Sequence, residues 1–253
     1  MLAIEPRITL GRDFARALDP CLLALDCGIQ PDTIQSELLT TGASKTLVCC
    51  SRQWGKSTTT ALIALHEAIY AAPAMVVVIS PSQPQSTELF KKIHGFWQQL
   101  PGAPAAEQES LTRMQLSNGS RIISLPGSEK TIRGYSAATL IVMDEAARVP
   151  DELLQAVRPM LATTAGRFIA LTTPAGRRGW FYEAWSHGEG WNRISVKAAD
   201  CPRISPEFLA EELQALGPMR FSEEYACEFI DSNTSAFSSA LIEMALTDEF
   251  EQF

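Results

Sequence analysis

The sequence predicts an α/β protein in which a mostly parallel sheet carries helices on both faces. Three observations point there. Short apolar or β-branched runs at 47–50, 74–80, 139–143, 167–171 and 191–196 read as buried strands. Helical stretches separate most of them, and such alternation builds parallel sheets. Two of the strands end in chemistry: the first in Ser51-Arg52-Gln53-Trp54-Gly55-Lys56-Ser57, the third in Asp144-Glu145.

The chain has 253 residues, 46% of them hydrophobic and 20% charged. That suits one large globular domain, or one domain with an appendage. No apolar run reaches bilayer-spanning length. Residues 1–25 mix Glu5, Arg7, Arg12, Asp13, Arg16 and Asp19 among the apolar positions, unlike a secretory signal. Six cysteines, at 21, 27, 49, 50, 201 and 227, form no C-x-x-C pair and do not cluster with the histidines. This argues against a structural zinc and for reduced, buried thiols in a cytoplasmic protein. The net charge is −8, but residues 201–253 hold two arginines against eleven acids. The preceding 200 residues are therefore close to neutral, and sequence shows no basic face on them.

Taken in order, residues 1–30 read as a lead-in with weak periodicity. Pro31-Asp32 starts a short helix with Ile34, Leu38 and Leu39 at helical spacing, and Gly42 stops it. Gln35 on this helix reads, from the residue alone, as a solvated polar side chain. The strand at 47–50 then turns into Gly55-Lys56-Ser57, which opens a helix through Tyr70. Strand, turn, Gly-Lys-Ser and helix is the layout of a phosphate-binding loop. The first N–H groups of a helix lack internal partners and sit at its positive end, so a polyphosphate is favoured there. The usual pattern has an earlier glycine, and here that position is Cys50, where positive φ would be costly.

The strand at 74–80 stops at Pro81. Leu89, Ile93, Phe96, Trp97 and Leu100 mark one face of the next helix. Asn118-Gly119 signals a hairpin between 111–116 and 120–125, at an edge or on a face of the sheet. A loop through Thr131-Ile132-Arg133-Gly134 leads to the strand ending in Asp144-Glu145. Two carboxylates so close to a buried strand call for a cation or a proton-transfer task. Pro150-Asp151-Glu152 begins another helix. The strand at 167–171 ends in Thr172-Thr173-Pro174, with hydroxyls at the edge where α/β sheets bind ligands. Residues 179–185 form a short aromatic helix. Beyond Pro206 the chain reads as two acidic helices, about 206–216 and 218–229. A linker at 231–235 and a helix at 238–246 follow.

The strand at 74–80 lies, in sequence, between the loop strand and the carboxylate strand. This resembles the additional-strand, catalytic-glutamate class of P-loop NTPases. Ser51-Arg52-Gln53-Trp54-Gly55-Lys56-Ser57 is similar to the deviant phosphate loop of tailed-phage terminase large subunits, which lose the first glycine and carry an arginine inside the loop. Pro31-Asp32-x-x-Gln35 resembles their adenine-contacting motif. Ile132-Arg133-Gly134 resembles a segment bearing an arginine that acts across subunits. Leu140 to Ala147 resembles their magnesium and catalytic-carboxylate motif. Thr172-Thr173-Pro174 resembles the motif that couples hydrolysis to movement.

The resemblance covers about residues 30–235. It implies a 1–30 lead-in, a P-loop ATPase core at 31–200, and an acidic helical subdomain with a linker at 201–253. It implies ATP and Mg2+ as cofactors. Gln35, Ser51, Arg52, Gln53, Trp54, Gly55, Lys56, Ser57 and Thr58 would contact nucleotide. Ser57 and Asp144 would hold the metal. Glu145 would orient or deprotonate water, with Arg133 as a finger in trans and Arg52 as a finger or sensor in cis. The implied partners are double-stranded DNA, a portal protein, a small terminase subunit and further copies in a ring on the procapsid, in the host cytoplasm and away from membranes. An isolated chain would then be a monomer. The family's nuclease domain would begin near the last residue, Phe253, so nuclease activity is not expected of this chain. A helicase-like ATPase and a non-hydrolysing, nucleotide-gated module docking on a portal are the alternatives.

Overall fold

Burial on both faces of the central strands decides the architecture. The structure, a computed structural model, describes residues 9–127, 132 and 134–230. Helices α1 (Leu10–Leu18), α2 (Pro20–Asp26) and α3 (Thr33–Thr40) precede strand β1 (Lys45–Cys50). Next come α4 (Lys56–Tyr70), β2 (Met75–Ser80) and α5 (Gln83–Gln99). Strands β3 (Ala106–Glu109), β4 (Arg113–Leu116) and β5 (Arg121–Pro126) form an antiparallel meander. β6 (Leu140–Asp144), α6 (Asp151–Val157), β7 (Arg167–Thr172), α7 (Gly179–Ser186), β8 (Asn192–Val196) and α8 (Pro206–Tyr225) follow.

All eight strands join one sheet in the order β3-β4-β5-β2-β6-β7-β1-β8. Every pairing from β5 to β8 is parallel. In β2, Val76 and Val78 enter one core while Met75, Val77 and Ile79 enter the other. β6 repeats this with Leu140 and Val142 against Ile141 and Met143. A strand buried on both faces has no polar positions left, which is why these runs are continuously apolar. Helices α2 to α5 cover the first face, and α6 and α7 cover the second.

Sheet order places the chemistry. β1 and β6 are not neighbours; β7 lies between them, paired to both. The intervening strand is thus β7, late in sequence. The 74–80 strand, β2, lies on the far side of β6. Phosphate loop, Thr172 and Asp144 therefore emerge side by side at one edge of the sheet, at roughly 4.8 Å per strand.

Two local expectations need correction. β3 (Ala-Glu-Gln-Glu) was missed, because this exposed edge strand has no apolar alternation. The hairpin lies at an edge of the sheet, as expected, and joins it through the parallel pairing of β5 with β2. The two acidic helices are both present, joined as α8 across a non-helical break at Gly217 (φ 73°, ψ 164°), and the second ends at Tyr225 instead of near residue 229. The expected linker at 231–235 and helix at 238–246 lie outside the described residues.

The first two helices buttress α4, whose N-terminus opens the site. α2 buries Leu23 and Ala24 in the core that α4 fills. Arg16 on α1 is 2% exposed. It donates from Nη1 to Pro101 O (2.8 Å) and from Nε to Asp26 Oδ2 (2.6 Å). Hydrogen bonding from Arg12, and then Arg16, holds the Asp26 carboxyl below its ordinary range against the opposing effect of burial. Asp26→Asn leaves a buried guanidinium without its anion. Because Asp26 itself is partly wetted, the expected cost is about 2 kcal/mol at neutral pH. A depressed folded-state pKa gives stability that is present above the unfolded value and lost as pH falls through the folded one. Denaturant melts should show the gap between wild type and Asp26→Asn narrowing on acidification below about pH 4.

Candidate functional site

The phosphate loop obtains its shape without the first glycine. Cys50 is still in the β1 ladder opposite Val196, and the Ser51 N–H donates to Val196 O (2.9 Å). Left-handed backbone falls later, at Gln53 (φ 62°) and Gly55 (φ 107°). Gly55 also meets a close neighbour: a Cβ there would lie 2.8 Å from Gln35 Nε2. Trp54 is fully buried and anchors the loop in the core. Its carbonyl accepts from Gln35 Nε2 (3.1 Å) and from Arg203 Nη2 (2.6 Å).

Gln35 is buried, not solvated. It completes a capping box at the start of α3, with Oε1 accepting from the Asp32 N–H (3.0 Å). Asp32 accepts in turn from Arg203 (2.9 Å). The residue of the adenine-motif resemblance therefore braces the phosphate loop in this structure.

On the opposite side, Asp144 ends β6 and is 8% exposed. Its Oδ1 accepts from the Glu145 N–H (3.0 Å). Burial, then the neighbouring Glu145 charge, push its carboxyl up to about 6. Glu145 sits in left-handed backbone (φ 51°, ψ 43°), a strain of about 1–3 kcal/mol for a residue with a side chain. The strained turn aims its carboxylate back across the sheet edge. Oε1 lies 3.5 Å from Lys56 Nζ, and Oε2 lies 2.7 Å from Arg148 Nη1. Lys56 is mostly buried, which opposes its charge. The Cys50 thiol beside it is pushed up by burial and stays neutral, so Glu145 and Asp144 are the anions that raise Lys56 above its ordinary value.

Thr172 and Thr173 occupy the gap between these two sides. Thr172 Oγ1 accepts from the Ala147 N–H (3.3 Å) and donates to Thr173 O (2.7 Å). Thr173 Oγ1 accepts from Arg148 Nη1 (2.9 Å). Pro174 is buried behind them. Ser57 and Thr58 lie in the first turn of α4, and Thr58 Oγ1 accepts from Lys92 Nζ (3.4 Å). Gln53 is exposed. Arg52 turns away from the carboxylates: its Nε pairs with Glu224 Oε2 (2.9 Å), and its N–H donates to Glu224 O (3.0 Å). Arg133 lies outside the described residues.

Sequence reasoning missed Arg148, Arg203, Lys92 and Glu224. Arg148 was findable, three residues after Glu145 in a charged motif. The others come from distant elements and carry no local signal.

A helix start, an ammonium and two carboxylates at one sheet edge suit a polyphosphate carrying a divalent cation. Two features fit such a ligand. Asp144 is a buried carboxylate whose hydrogen-bond donor among the described residues is one backbone N–H. Ser51 Oγ, inside the loop, is buried without a partner among the described residues.

Comparison with known proteins agrees with this geometry. The family model described as "Terminase large subunit, T4likevirus-type, N-terminal" matches residues 47–244. The large terminase subunit of Thermus virus P23-45 is 24% identical over 248 residues, which cover 83% of this chain and 51% of that protein. The chain thus spans about half the length of the curated relatives it matches. Among solved structures, the large terminase ATPase domain of Thermus phage P74-26 aligns with a TM-score of 0.71 at 21% identity, covering 82% of this chain and 97% of that one. The large terminase of a thermophilic bacteriophage, in complex with ATP-gamma-S, aligns at 0.61 and 10% identity, covering 78% and 52%. These structures share the fold, and with the family model matching most of its length, the chain belongs to the terminase large-subunit family, in its N-terminal domain.

Proposed function

We propose that this chain is the ATP-hydrolysing domain of a motor that drives double-stranded viral DNA into a procapsid. The observation that carries the reading is the approach of Lys56 Nζ to Glu145 Oε1, 3.5 Å, beside the open N-terminus of α4. Lys56 and the first N–H groups of α4 would hold the phosphates. Ser57 and Asp144 would hold magnesium, which when bound neutralises charge on phosphate oxygens. Glu145 would hold the attacking water and take its proton. Gln35 would stay against the loop and offer its remaining amide hydrogen to an adenine edge. Arg133 from a neighbouring subunit would supply positive charge in the transition state, and Arg52 would serve as finger or sensor in cis. Thr172-Thr173-Pro174 would transmit the state of the site to the rest of the domain.

The relative from the thermophilic bacteriophage was solved with a nucleotide analogue bound, and the P74-26 relative is described as an ATPase domain. Both support the same chemistry for this chain. A portal, a small subunit and further copies in a ring would be the partners, at the procapsid in the host cytoplasm. Among the described residues no helix is long and apolar enough to cross a membrane.

With these assignments, Glu145→Gln keeps nucleotide affinity within about twofold and lowers turnover at least about 100-fold, whereas Lys56→Ala weakens affinity at least about tenfold. Equilibrium binding and phosphate release, with and without duplex DNA, read both; near-normal turnover by Glu145→Gln rejects its role. Mixing Arg133→Ala with Lys56→Ala protein tests action in trans. Hydrolysis should reappear at intermediate ratios, because one subunit keeps an intact site and its neighbour an intact finger. If no ratio restores it while wild type is active, Arg133 does not act across subunits.

A further inference from the structure

Arg148 joins two things that the site keeps separate in sequence. One guanidinium nitrogen, Nη1, contacts the Glu145 carboxylate at 2.7 Å and the Thr173 hydroxyl at 2.9 Å, and it reaches the Thr173 carbonyl at 3.5 Å. Arg148 closes the short 3-10 turn Ala146–Arg148 that starts from the left-handed Glu145. The same turn is tied to β7 by the Ala147 N–H on Thr172 Oγ1. Among the described residues, Glu145 meets two cations. Lys56, at 3.5 Å, is the looser, and a bound polyphosphate would compete for it. Of these two, Arg148 would then be the one left on Glu145.

We propose that Arg148 is a positioning residue that ties the orientation of the Glu145 carboxylate to the end of β7, so that neither moves without the other. This rests on the reading of Glu145 as the water-orienting carboxylate. A cationic nitrogen with more than one N–H donor suits the task, because it can hold a carboxylate and a hydroxyl at once, as Nη1 does here. The 3-10 turn is too short to fix the Glu145 side chain by packing, and 22% of that side chain is solvent-exposed. Its direction therefore depends on its ion pairs. The Arg148 side chain is 39% exposed and lies on the turn, so its removal should leave the core intact.

The full chain carrying Arg148→Ala should bind ATP within twofold of wild type, melt at an unchanged temperature, and turn over about thirtyfold more slowly, the size expected when a reacting group is misplaced by a fraction of an ångström. Arg148→Lys, which keeps the charge, should recover most of the rate. In a double-mutant cycle, Arg148→Ala with Thr173→Val should be no slower than the slower single variant, because both remove one linkage. Hydrogen exchange gives a readout that needs no hydrolysis. With a non-hydrolysable ATP analogue, the amides at 144–149 and at 171–176 should change protection together in wild type, and only the first group should respond in Arg148→Ala. The proposal is overturned if Arg148→Ala turns over within threefold of wild type, if its rate loss tracks lost affinity or lost stability, or if 171–176 still respond fully. Should Glu145→Gln abolish turnover while Arg148→Ala does not, this inference falls and the site assignment stands. Should wild type fail to bind ATP, both fall.

Discussion

The meeting of the Lys56 ammonium and the Glu145 carboxylate across the end of β7 is the constraint on which the rest of the molecule depends. Neither group could reach the other if β1 and β6 lay further apart than one intervening strand. Lys56, although mostly buried, keeps its charge because the carboxylates of Glu145 and Asp144 face it. The parallel sheet supplies the first condition through its strand order. The loop and the turn supply the second, each through left-handed backbone at one or two residues. The apolar bulk of the chain holds those few residues at fixed spacing, as expected of a site built on strand ends.

The fold was legible because its central strands are buried on both faces. Runs such as Val76-Val77-Val78-Ile79 and Leu140-Ile141-Val142-Met143 admit few other readings, and the Gly-Lys-Ser start of α4 marked the phosphate loop. The order of strands in space was not legible. Nothing in residues 167–171 says that this strand slips between the two that carry the chemistry, since register and neighbour choice are tertiary properties. Within residues 1–30, α1 does carry a helical stripe, Leu10, Phe14 and Leu18, but that stripe faces solvent while Arg16 turns inward to an ion pair, the reverse of the usual helix pattern.

The site was half legible for the same reason. Lys56, Asp144 and Glu145 are adjacent to strand ends and could be placed by motif. Gln35 could be named but not understood, because its amide oxygen serves a capping box and one of its two N–H groups goes to the Trp54 carbonyl. Cys50, by its residue type, reads as a defect in the loop. The structure removes the difficulty by continuing β1 one residue further and moving the unusual backbone to Gln53 and Gly55. Arg203 reaches the loop from nearly 150 residues away, and no spacing rule operates over that distance.

The position of β1 also governs how the chain can fold as it is made. Both of its neighbours, β7 and β8, are translated more than a hundred residues after it. While the ribosome is still adding them, β2, α5 and the β3–β5 meander can already pair and cover one another. β1 has both edges open throughout that interval, and its apolar side chains and the loop beyond it have no sheet to join. The strands that flank β1 and meet its end, through Cys49 opposite Thr172 and Cys50 opposite Val196, are thus the last parallel strands to be made.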